Sequence, residues 1–339
     1  MSSCILVTEA NETVASGHLM EMVELSSLLE KERVQTITLV NKEAPQSLKE
    51  RLRGKTIEYF SDISTSESVI VQEIMKSDVN LIVTNLRQVS ETWLASIREK
   101  TGCRIVCIDE FGGRYLSADA IINPMIDPVF WNYKESSTKV FAGNQYLILP
   151  SNIRGYHERE KVISNDVSTV CVSMGGVDYH GTTLRIVDWL TRESSDICWN
   201  IVIGAGFKYR SALEEMISKG CGNITVFQDI DYIYDLFYQA DVAFCAGGNT
   251  LHELACIGTP TIVIPTMPHE RRNGIKFASL GFGICLSETE EVTKTEVQNA
   301  FQELQNKVTR EEMSCAGKLI ADGAGGRRNV EILRQMIMS

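Results

Sequence analysis

Short apolar runs alternate with amphipathic stretches along nearly the whole chain. Such runs are typical of strands buried on both faces of a parallel sheet, and apolar residues at helical spacing, as at Leu19, Met22 and Val23, predict helices between them. The predicted strands are 4–7, 36–40, 57–60, 81–84, 104–108 and 120–122, and further along the chain 168–174, 199–203, 223–226, 241–245 and 261–265. The alternation of strand and helix predicts an α/β fold with parallel sheets covered on both faces.

The pattern lapses once, in a polar stretch that follows Pro150 and ends near Asp166. A chain of 339 residues exceeds the usual length of one domain, so we place a domain boundary in this gap. The sequence thus predicts an N-terminal domain over 1–152, a C-terminal domain over 167–320, and a final segment, 321–339, that contains a short amphipathic helix after a glycine cluster.

Composition narrows the classes of ligand. The 33 Lys and Arg against 44 Asp and Glu give a net charge of −11, which argues against nucleic-acid binding. A phosphorylated ligand would have to be held locally, by backbone N–H groups and helix N-termini. The ten cysteines show no zinc-site spacing and mostly lie in apolar runs, so we expect no metal or cofactor. Without a leader-like segment or an apolar run of about 20 residues, we expect a cytoplasmic protein that does not insert into a membrane.

The strongest candidate for chemistry is the glycine turn Gly247-Gly248, which directly follows a predicted strand. Glycines there let backbone N–H groups approach a ligand, and Asn249 or Thr250 would cap a helix whose positive end faces an anion. Glu253 could accept hydrogen bonds from two ribose hydroxyls. The alternative is a plain tight turn with a capped helix. The Gly247-Gly248 turn lies at the carboxyl end of a strand, where open α/β sheets bind ligands, and this position favours the binding interpretation.

Two further turns have the same setting. Gly175-Gly176 follows the first predicted strand of the second half and offers a second phosphate-binding turn, or merely a strand–helix connection. Gly17-His18 starts a helix beyond the first strand, where the helix dipole disfavours protonation. A neutral imidazole at this place could act as a general base, although a histidine with no task is the usual alternative.

Three other residues are weaker candidates. His269 and Glu270 begin a predicted helix after a proline-bounded turn and could contact a sugar, or could simply be a solvated helix start. Asp109, at the end of a predicted strand, could equally be part of an acidic turn. The sequence contains no P-loop, no catalytic-serine elbow and no G-x-G-x-x-G after the first strand.

In combination these motifs resemble a known family. Gly-His at 17–18, Ser-x-Gly-Gly-x-Asp at 173–178, Gly-Gly-x-Thr-x-x-Glu at 247–253 and Asp-Gly-x-Gly-x-x-Arg at 322–328 are similar to the UDP-sugar hydrolase of the pseudaminic acid pathway. They resemble the related spore-coat polysaccharide proteins equally well. Both groups belong with the glycosyltransferases of the GT-B fold, including the N-acetylglucosaminyl transferase of peptidoglycan synthesis.

The resemblance implies two Rossmann-like domains whose parallel sheets face a cleft, with the C-terminal helix crossing back to the first domain. It implies that the segment from Gly247 to Glu253 contacts a UDP-sugar through the uridine ribose and the diphosphate. It also implies that His18 activates water for inverting attack at the anomeric carbon without a metal, and that Asp109 matches a family aspartate. The glycines at 17, 175 and 176 and the pair at 269–270 would complete the site.

Three departures concern the sugar side of the site. The family's arginine three residues after the histidine is replaced by Glu21, an aspartate that commonly follows the strand at 81–83 is absent around Asn85, and an Asn-Gln pair is His269-Glu270. Three hypotheses follow. The first is a hydrolase that releases UDP and a free amino-deoxy sugar for cell-surface glycan biosynthesis. The second is a transferase that passes the sugar to an acceptor, and the third is a non-catalytic binding relative. The oligomeric state is left open.

Overall fold

The computed structural model describes residues 3–10, 17–44, 46–59, 67–77, 79–87, 89–109, 112–128, 136–191, 196–220, 222–228, 230 and 232–338. The chain divides into two compact units. The first comprises Met1–Ser151 and Gly323–Ser339, and the second comprises Asn152–Asp322.

The first unit contains a parallel sheet of seven strands in the order β3-β2-β1-β4-β5-β6-β7. Its strands are β1 Ser3–Thr8, β2 Gln35–Asn41, β3 Lys55–Tyr59, β4 Leu81–Asn85, β5 Arg104–Ile108, β6 Ala120–Asn123 and β7 Lys139–Ala142. Its helices are α1 Gly17–Lys31, α2 Gln46–Lys49, α3 Glu67–Ser77, α4 Glu91–Thr101 and, at the end of the chain, α13 Gly325–Met338, with a 3₁₀ turn at Asn144–Tyr146.

The second unit contains a parallel sheet of six strands in the order β10-β9-β8-β11-β12-β13. Its strands are β8 Thr169–Ser173, β9 Cys198–Ile203, β10 Asn223–Gln228, β11 Val242–Cys245, β12 Thr261–Val263 and β13 Ile284–Cys285. Its helices are α5 Arg154–His157, α6 Thr182–Leu190, α7 Arg210–Ser218, α8 Ile233–Gln239, α9 Asn249–Ile257, α10 Pro268–Ser279, α11 Lys294–Glu303 and α12 Lys307–Ile320. A further 3₁₀ turn, Ser151–Ile153, begins at the last residue of the first unit.

Strand β1 shows why the first sheet is covered on both faces. Cys4 and Leu6 point into an apolar cluster that includes side chains of α1 and α13. Ile5 and Val7 point into a second cluster, on the other face, that includes side chains of α3 and α4. Because successive side chains of a strand alternate between faces, a fully apolar strand needs helices on both sides. The prediction of parallel sheets in two Rossmann-like units is confirmed.

Every predicted strand coincides with an observed one, but two observed strands carried no clear sequence signal. Both are edge strands: β7 has no fully buried side chain, and β13 has only two residues. An edge strand lacks a neighbour on one side and is less buried, so its sequence is less uniformly apolar.

The polar gap of the sequence packs on the second unit. Backbone carbonyls at the ends of helices and in turns accept hydrogen bonds from three cationic side chains, those of Lys318, Lys161 and Arg310. Lys318 Nζ reaches the His157 carbonyl at 2.9 Å, and Arg310 Nη2 reaches that of Asn165 at 2.9 Å. Lys161, within the gap, bonds the Ala240 carbonyl at 2.7 Å. Residues 152–166 are therefore fastened by Lys318 and Arg310 from a distant part of the sequence and by their own Lys161.

Candidate functional site

The strand order of the second unit brings its two glycine turns side by side. Strands β8 and β11 are neighbours, with Ser173 opposite Cys245, and the chain moves outward in opposite directions on either side of this pair. Open α/β sheets bind ligands at such a point, beyond the carboxyl ends of the two central strands. Gly175-Gly176 follows β8 and Gly247-Gly248 follows β11, so both predicted turns lie at this edge.

The turn after β8 requires glycine at one position and leaves room at the next. Gly175 has φ +83°, which other residues rarely adopt. Around Gly176, an added Cβ would meet no atom of the described residues within 4 Å. The turn rests on Gly204, where an added Cβ would lie 2.5 Å from the Cα of Gly176. The Gly204-Ala205-Gly206 segment, too short for a dinucleotide fingerprint, thus supports the turn from behind, with the Gly206 N–H donating to the Gly176 carbonyl at 3.0 Å.

Asp178 ends this turn and anchors the helix that follows it. Its two carboxylate oxygens accept hydrogen bonds from the backbone N–H groups of Thr182 and Thr183, both at 2.9 Å. The Asp178 side chain is buried, and the backbone φ of this residue is +45°. The aspartate of the 173–178 motif therefore stabilises the start of α6.

The turn after β11 leads directly into α9. Gly247 has φ +104°, and an added Cβ would lie 2.8 Å from the Glu270 carbonyl oxygen. The N-cap of α9 is Gly248, which has no side chain to cap it, so the prediction that Asn249 or Thr250 caps the helix is wrong. The first N–H groups of a helix lack intrahelical partners and carry its positive end. The Leu251 N–H donates to the Gly248 carbonyl at 3.0 Å, whereas no side chain among the described residues caps the N–H groups of Asn249 and Thr250, which can face an anion.

Glu253 lies one turn into α9, and burial raises the pKa of its carboxyl to about 7. The hydroxyl of Tyr234 on α8 donates to Glu253 Oε1 at 2.9 Å and opposes this rise. A carboxylate at this depth of the helix can accept bonds from hydroxyl groups once it is ionised.

Glu270 supports the glycine turn. Its Oε2 accepts hydrogen bonds from the backbone N–H of Thr266 at 2.9 Å and from the Thr266 hydroxyl at 2.7 Å. Asn273, from the same helix α10, donates to the Gly247 carbonyl at 3.1 Å. The neighbouring His269 is exposed. Contact of Glu270 or His269 with a sugar stays a prediction, and the structure gives Glu270 a local bracing role.

In the first unit, the corresponding central strands are β1 and β4. Helix α1 follows β1 and begins at Gly17, so His18 lies in its first turn. Its side chain is half-buried, and its buried Nδ1 has no hydrogen-bond partner among the described residues. Burial, with a contribution from Arg87, lowers the pKa of His18 below 6.5. The imidazole is therefore neutral at pH 7, as a general base requires.

Two of the departures from the family pattern contact each other. Asn85, the last residue of β4, donates from Nδ2 to Glu21 Oε2 at 2.7 Å, and both side chains are buried. Glu21 lies one turn after His18 on α1. Two positions that are 64 residues apart in the sequence thus form one polar contact at the end of the central strands.

Asp109 is engaged by its own loop. It is buried at the end of β5, and it accepts hydrogen bonds from the Gly113 N–H at 2.8 Å and the Tyr115 hydroxyl at 3.3 Å. These bonds hold the β5–β6 loop, which favours the acidic-turn alternative of the sequence. A role in sugar binding stays a prediction.

The glycines near the end of the chain pack α13 onto the first unit. An added Cβ at Gly325 would overlap the backbone of Leu147, and one at Gly326 would lie 2.7 Å from Leu28. Arg328 donates to the Gln145 carbonyl at 2.9 Å. The 322–328 motif therefore serves close packing.

Sequence reasoning missed Tyr234, Gly204 and Asn273, which support the site. Only Gly204 lies in a recognisable segment, Gly204-Ala205-Gly206, and each of the three acts on a residue that is distant in the sequence. Within the part of the chain that the structure describes, no three His, Cys, Asp or Glu side chains are grouped to hold a metal ion. Among the described helices, none is long and apolar enough to span a bilayer.

Comparison with known proteins agrees with this architecture. Residues 182–324 match the glycosyltransferase family 28 C-terminal domain. The chain is 25% identical over 272 residues to the spore coat polysaccharide biosynthesis protein SpsG of Bacillus subtilis strain 168, covering 79% of this chain and 80% of that protein. The resemblance to spore-coat polysaccharide proteins is thereby confirmed, while the specific likeness to the pseudaminic acid hydrolase stays a prediction.

Solved structures show the same fold across the whole chain. MurG of Acinetobacter baumannii superposes with a TM-score of 0.72 at 14% identity, covering 98% of this chain and 99% of that one. The S. aureus MnaA–UDP structure superposes with a TM-score of 0.67 at 15% identity, covering 98% and 96%. The predicted GT-B fold is confirmed: this chain has the fold of these structures, and residues 182–324 of its second unit match the glycosyltransferase family 28 C-terminal domain.

Proposed function

We propose that this protein transfers a sugar from a UDP-sugar, and that its second unit binds the nucleotide. The observation that carries the proposal is the pair of glycine turns at the central strands β8 and β11, one of which leads into a helix without a side-chain cap. A diphosphate needs backbone donors and a positive helix end, above all in a protein whose net charge is −11.

The proposed nucleotide contacts follow from the free space at the two turns. Gly176 and Gly248 lie where a side chain would meet no described residue closer than 3.5 Å, so a phosphate can approach their backbone N–H groups. Asn249 and Thr250, exposed and half-buried at the start of α9, add polar contacts. Glu253, when ionised, accepts bonds from the two ribose hydroxyls.

We propose that His18 is the general base. Its neutral imidazole would take the proton of an acceptor hydroxyl as that oxygen attacks the anomeric carbon with inversion. The bond from the anomeric carbon to the β-phosphate oxygen breaks, and UDP leaves with its charge stabilised by the α9 N-terminus. Gly17, Asp109, His269 and Glu270 are the proposed contacts to the sugar.

Transfer to an acceptor molecule is the leading form of this activity, because the matched domain is that of a glycosyltransferase family. The name of the Bacillus relative supports a role in cell-surface polysaccharide biosynthesis. Hydrolysis, in which water is the acceptor, is the second candidate. The Gly17-His18 start of α1 is compatible with it, since a neutral imidazole can activate water as well as a hydroxyl. UDP release in water alone indicates hydrolysis, and release that needs an added glycan acceptor indicates transfer. UDP binding without release under either condition would support the non-catalytic alternative.

The nucleotide site is tested by two substitutions that the folded chain accommodates. Gly176→Ala and Gly248→Ala add a methyl group where the protein leaves room and where φ is not in the left-handed region. A glycine-to-alanine change of this kind leaves stability unchanged or raises it by about 0.4–1 kcal/mol. Gly155→Ala in α5, also without a neighbour within 4 Å, is the matched control.

The measurement is the thermal unfolding midpoint with and without UDP. At a hundredfold excess over Kd, UDP should stabilise the wild type and the Gly155→Ala variant by about 2.7 kcal/mol. Gly176→Ala and Gly248→Ala should unfold at the wild-type midpoint without UDP and lose most of the stabilisation. If both variants respond to UDP as the wild type does, the turns are only structural and the proposed nucleotide site is refuted.

A further inference from the structure

The carboxylate of Glu253 is held by a side chain from another helix. Tyr234 on α8 is buried, with 6% of its surface exposed, and its hydroxyl donates to Glu253 Oε1 at 2.9 Å. Within the described residues, this is the one hydrogen bond to the Glu253 carboxylate. The bond joins helices α8 and α9 through two residues that are 19 positions apart in the sequence.

A single donor on one carboxylate oxygen has a geometric consequence. The last torsion of a glutamate side chain is broad, so an unrestrained carboxylate samples many orientations. With Oε1 fixed by the phenol, Oε2 is fixed too, and its direction is set before any ligand arrives. Pre-orientation of this kind lowers the entropy that a ligand must overcome.

The first turn of α8 is itself braced. The Tyr156 hydroxyl on α5 donates to Asp235 Oδ1 at 2.7 Å, next to Tyr234. The rings of Tyr156 and Tyr234 meet edge to face with centroids 5.9 Å apart, and Tyr234 also contacts Phe237 at 6.4 Å. The phenol that holds Glu253 therefore has little freedom of its own.

Other titratable groups near Glu253 do not take over this role. Cys245 on β11 and Cys256 on α9 are thiols whose pKa burial raises, so both stay neutral. The cations on the packed helices bond elsewhere. Arg154 on α5 pairs with Glu158, and Lys318 on α12 donates to the His157 carbonyl. On α8, Asp235 accepts the bond from Tyr156.

We propose that Tyr234 is a positioning residue of the nucleotide site, which orients the Glu253 carboxylate for the ribose hydroxyls. This inference rests on the proposed function, because it assigns to Tyr234 a part in the binding of UDP by Glu253. Tyr234 acts through Glu253 and does not itself contact the ligand.

The test compares Tyr234→Phe with a matched variant of the same helix. Tyr234→Phe removes only the hydroxyl and keeps the ring contacts. The control is Tyr238→Phe, which also removes one hydroxyl from α8, but one that donates to the Glu160 carbonyl at 2.7 Å. UDP affinity is measured by calorimetry from pH 5.5 to 9, with the unfolding midpoint of each variant as the check on folding.

A positioning role predicts two changes in Tyr234→Phe. UDP binds about tenfold more weakly at pH 8, the size of effect expected when one hydrogen bond to a charged group is lost. The rise of affinity with pH also moves to higher pH, because the phenol no longer favours the carboxylate. A lost packing contact would weaken binding without moving the pH profile. Tyr238→Phe keeps the wild-type affinity and profile.

The outcomes distinguish failure of the role proposed for Tyr234 from failure of the proposed UDP-binding function. A wild-type protein that binds UDP, with a Tyr234→Phe variant of unchanged affinity and pH profile, overturns the role of Tyr234 alone. A Tyr234→Phe variant that is weaker by the same factor at every pH also overturns it. A wild-type protein that binds no UDP at any pH overturns the proposed function and, with it, this inference.

Discussion

The most informative single change is Glu253→Gln, because the structure predicts opposite effects on stability and on ligand binding. The amide has the shape of the carboxylate and can still accept the Tyr234 hydroxyl, but it carries no charge. In the wild type, burial raises the pKa of this carboxyl from 4.5 to about 7. The Glu253 carboxyl therefore binds a proton more tightly in the folded chain than in the unfolded chain, and the free energy of unfolding must depend on pH.

The sign and size of the effect follow from these two pKa values. Below pH 4.5 the group is protonated in both states, and its contribution to stability is complete. As the pH rises from 4.5 to 7 the unfolded chain ionises first, so stability falls. Well above pH 7 the loss is complete and amounts to about 3.5 kcal/mol at most, because each tenfold change in proton affinity corresponds to about 1.4 kcal/mol. Glu253→Gln has no such loss.

The assay is thermal unfolding of both proteins at pH 5, 6, 7 and 8. At pH 5 the two midpoints should nearly agree. At pH 8 the variant should unfold higher, by about 2–4 °C for each kcal/mol in a unit of this size. Saturating UDP should stabilise the wild type at pH 8 and leave the variant almost unchanged. These results would show that the Glu253 carboxylate lowers the stability of the free protein at pH 8 and is needed for its stabilisation by UDP.

Glu296→Gln in the same unit is a control of opposite sign. Hydrogen bonds from Ser287 and from the capping-box partner Thr293 lower the pKa of Glu296. Its contribution to stability is therefore present at neutral pH and lost as the pH falls through the lowered value, so the variant should be less stable than the wild type at pH 7. A difference between Glu253→Gln and the wild type that stays constant from pH 5 to 8 would refute the raised pKa of Glu253.

Two further predictions concern the first unit. Because the pKa of His18 is lowered, kcat for UDP release, measured at saturating UDP-sugar so that binding by Glu253 does not limit the rate, should be kept at neutral pH and fall only in the acid range. His18→Gln should lose about 10²–10⁴ of the rate and keep its stabilisation by UDP, and an undiminished rate would exclude His18 as the base. Gly325→Ala should lower the free energy of unfolding by about 1–3 kcal/mol in urea titrations, since its methyl group would overlap the Leu147 backbone. An unchanged midpoint would show that α13 shifts without cost.

Much of the fold was accessible from the sequence because it depends on local patterns. Strand β1 is apolar at every position from Cys4 to Val7, and this alone indicates burial on both faces. The edge strand β7 was missed for the same reason, since its half-buried side chains carry no uniform pattern. The glycines at 175 and 247 were recognisable because a turn with positive φ restricts the residue type.

The site was only partly accessible. The sequence placed Gly247 and Glu253 after a strand, but a side-chain cap on α9 was a wrong inference. Asn249 is a good capping residue, yet the helix starts one residue earlier in the chain, with Gly248 at the N-cap. Local preference favours a side-chain cap, but the structure places Gly248 at the N-cap, directly after Gly247, which packs closely against Glu270.

The sequence by itself determined which elements form and where the glycine turns and titratable side chains stand along the chain. The tertiary structure alone decided that β8 and β11 are neighbours, that Tyr234 holds Glu253, and that Asn85 bonds Glu21. The physical reason is the range of the interactions. Periodicity, turn conformation and helix propensity act over a few residues, whereas strand order, burial and the pKa of a carboxyl depend on contacts between residues that are far apart in the sequence.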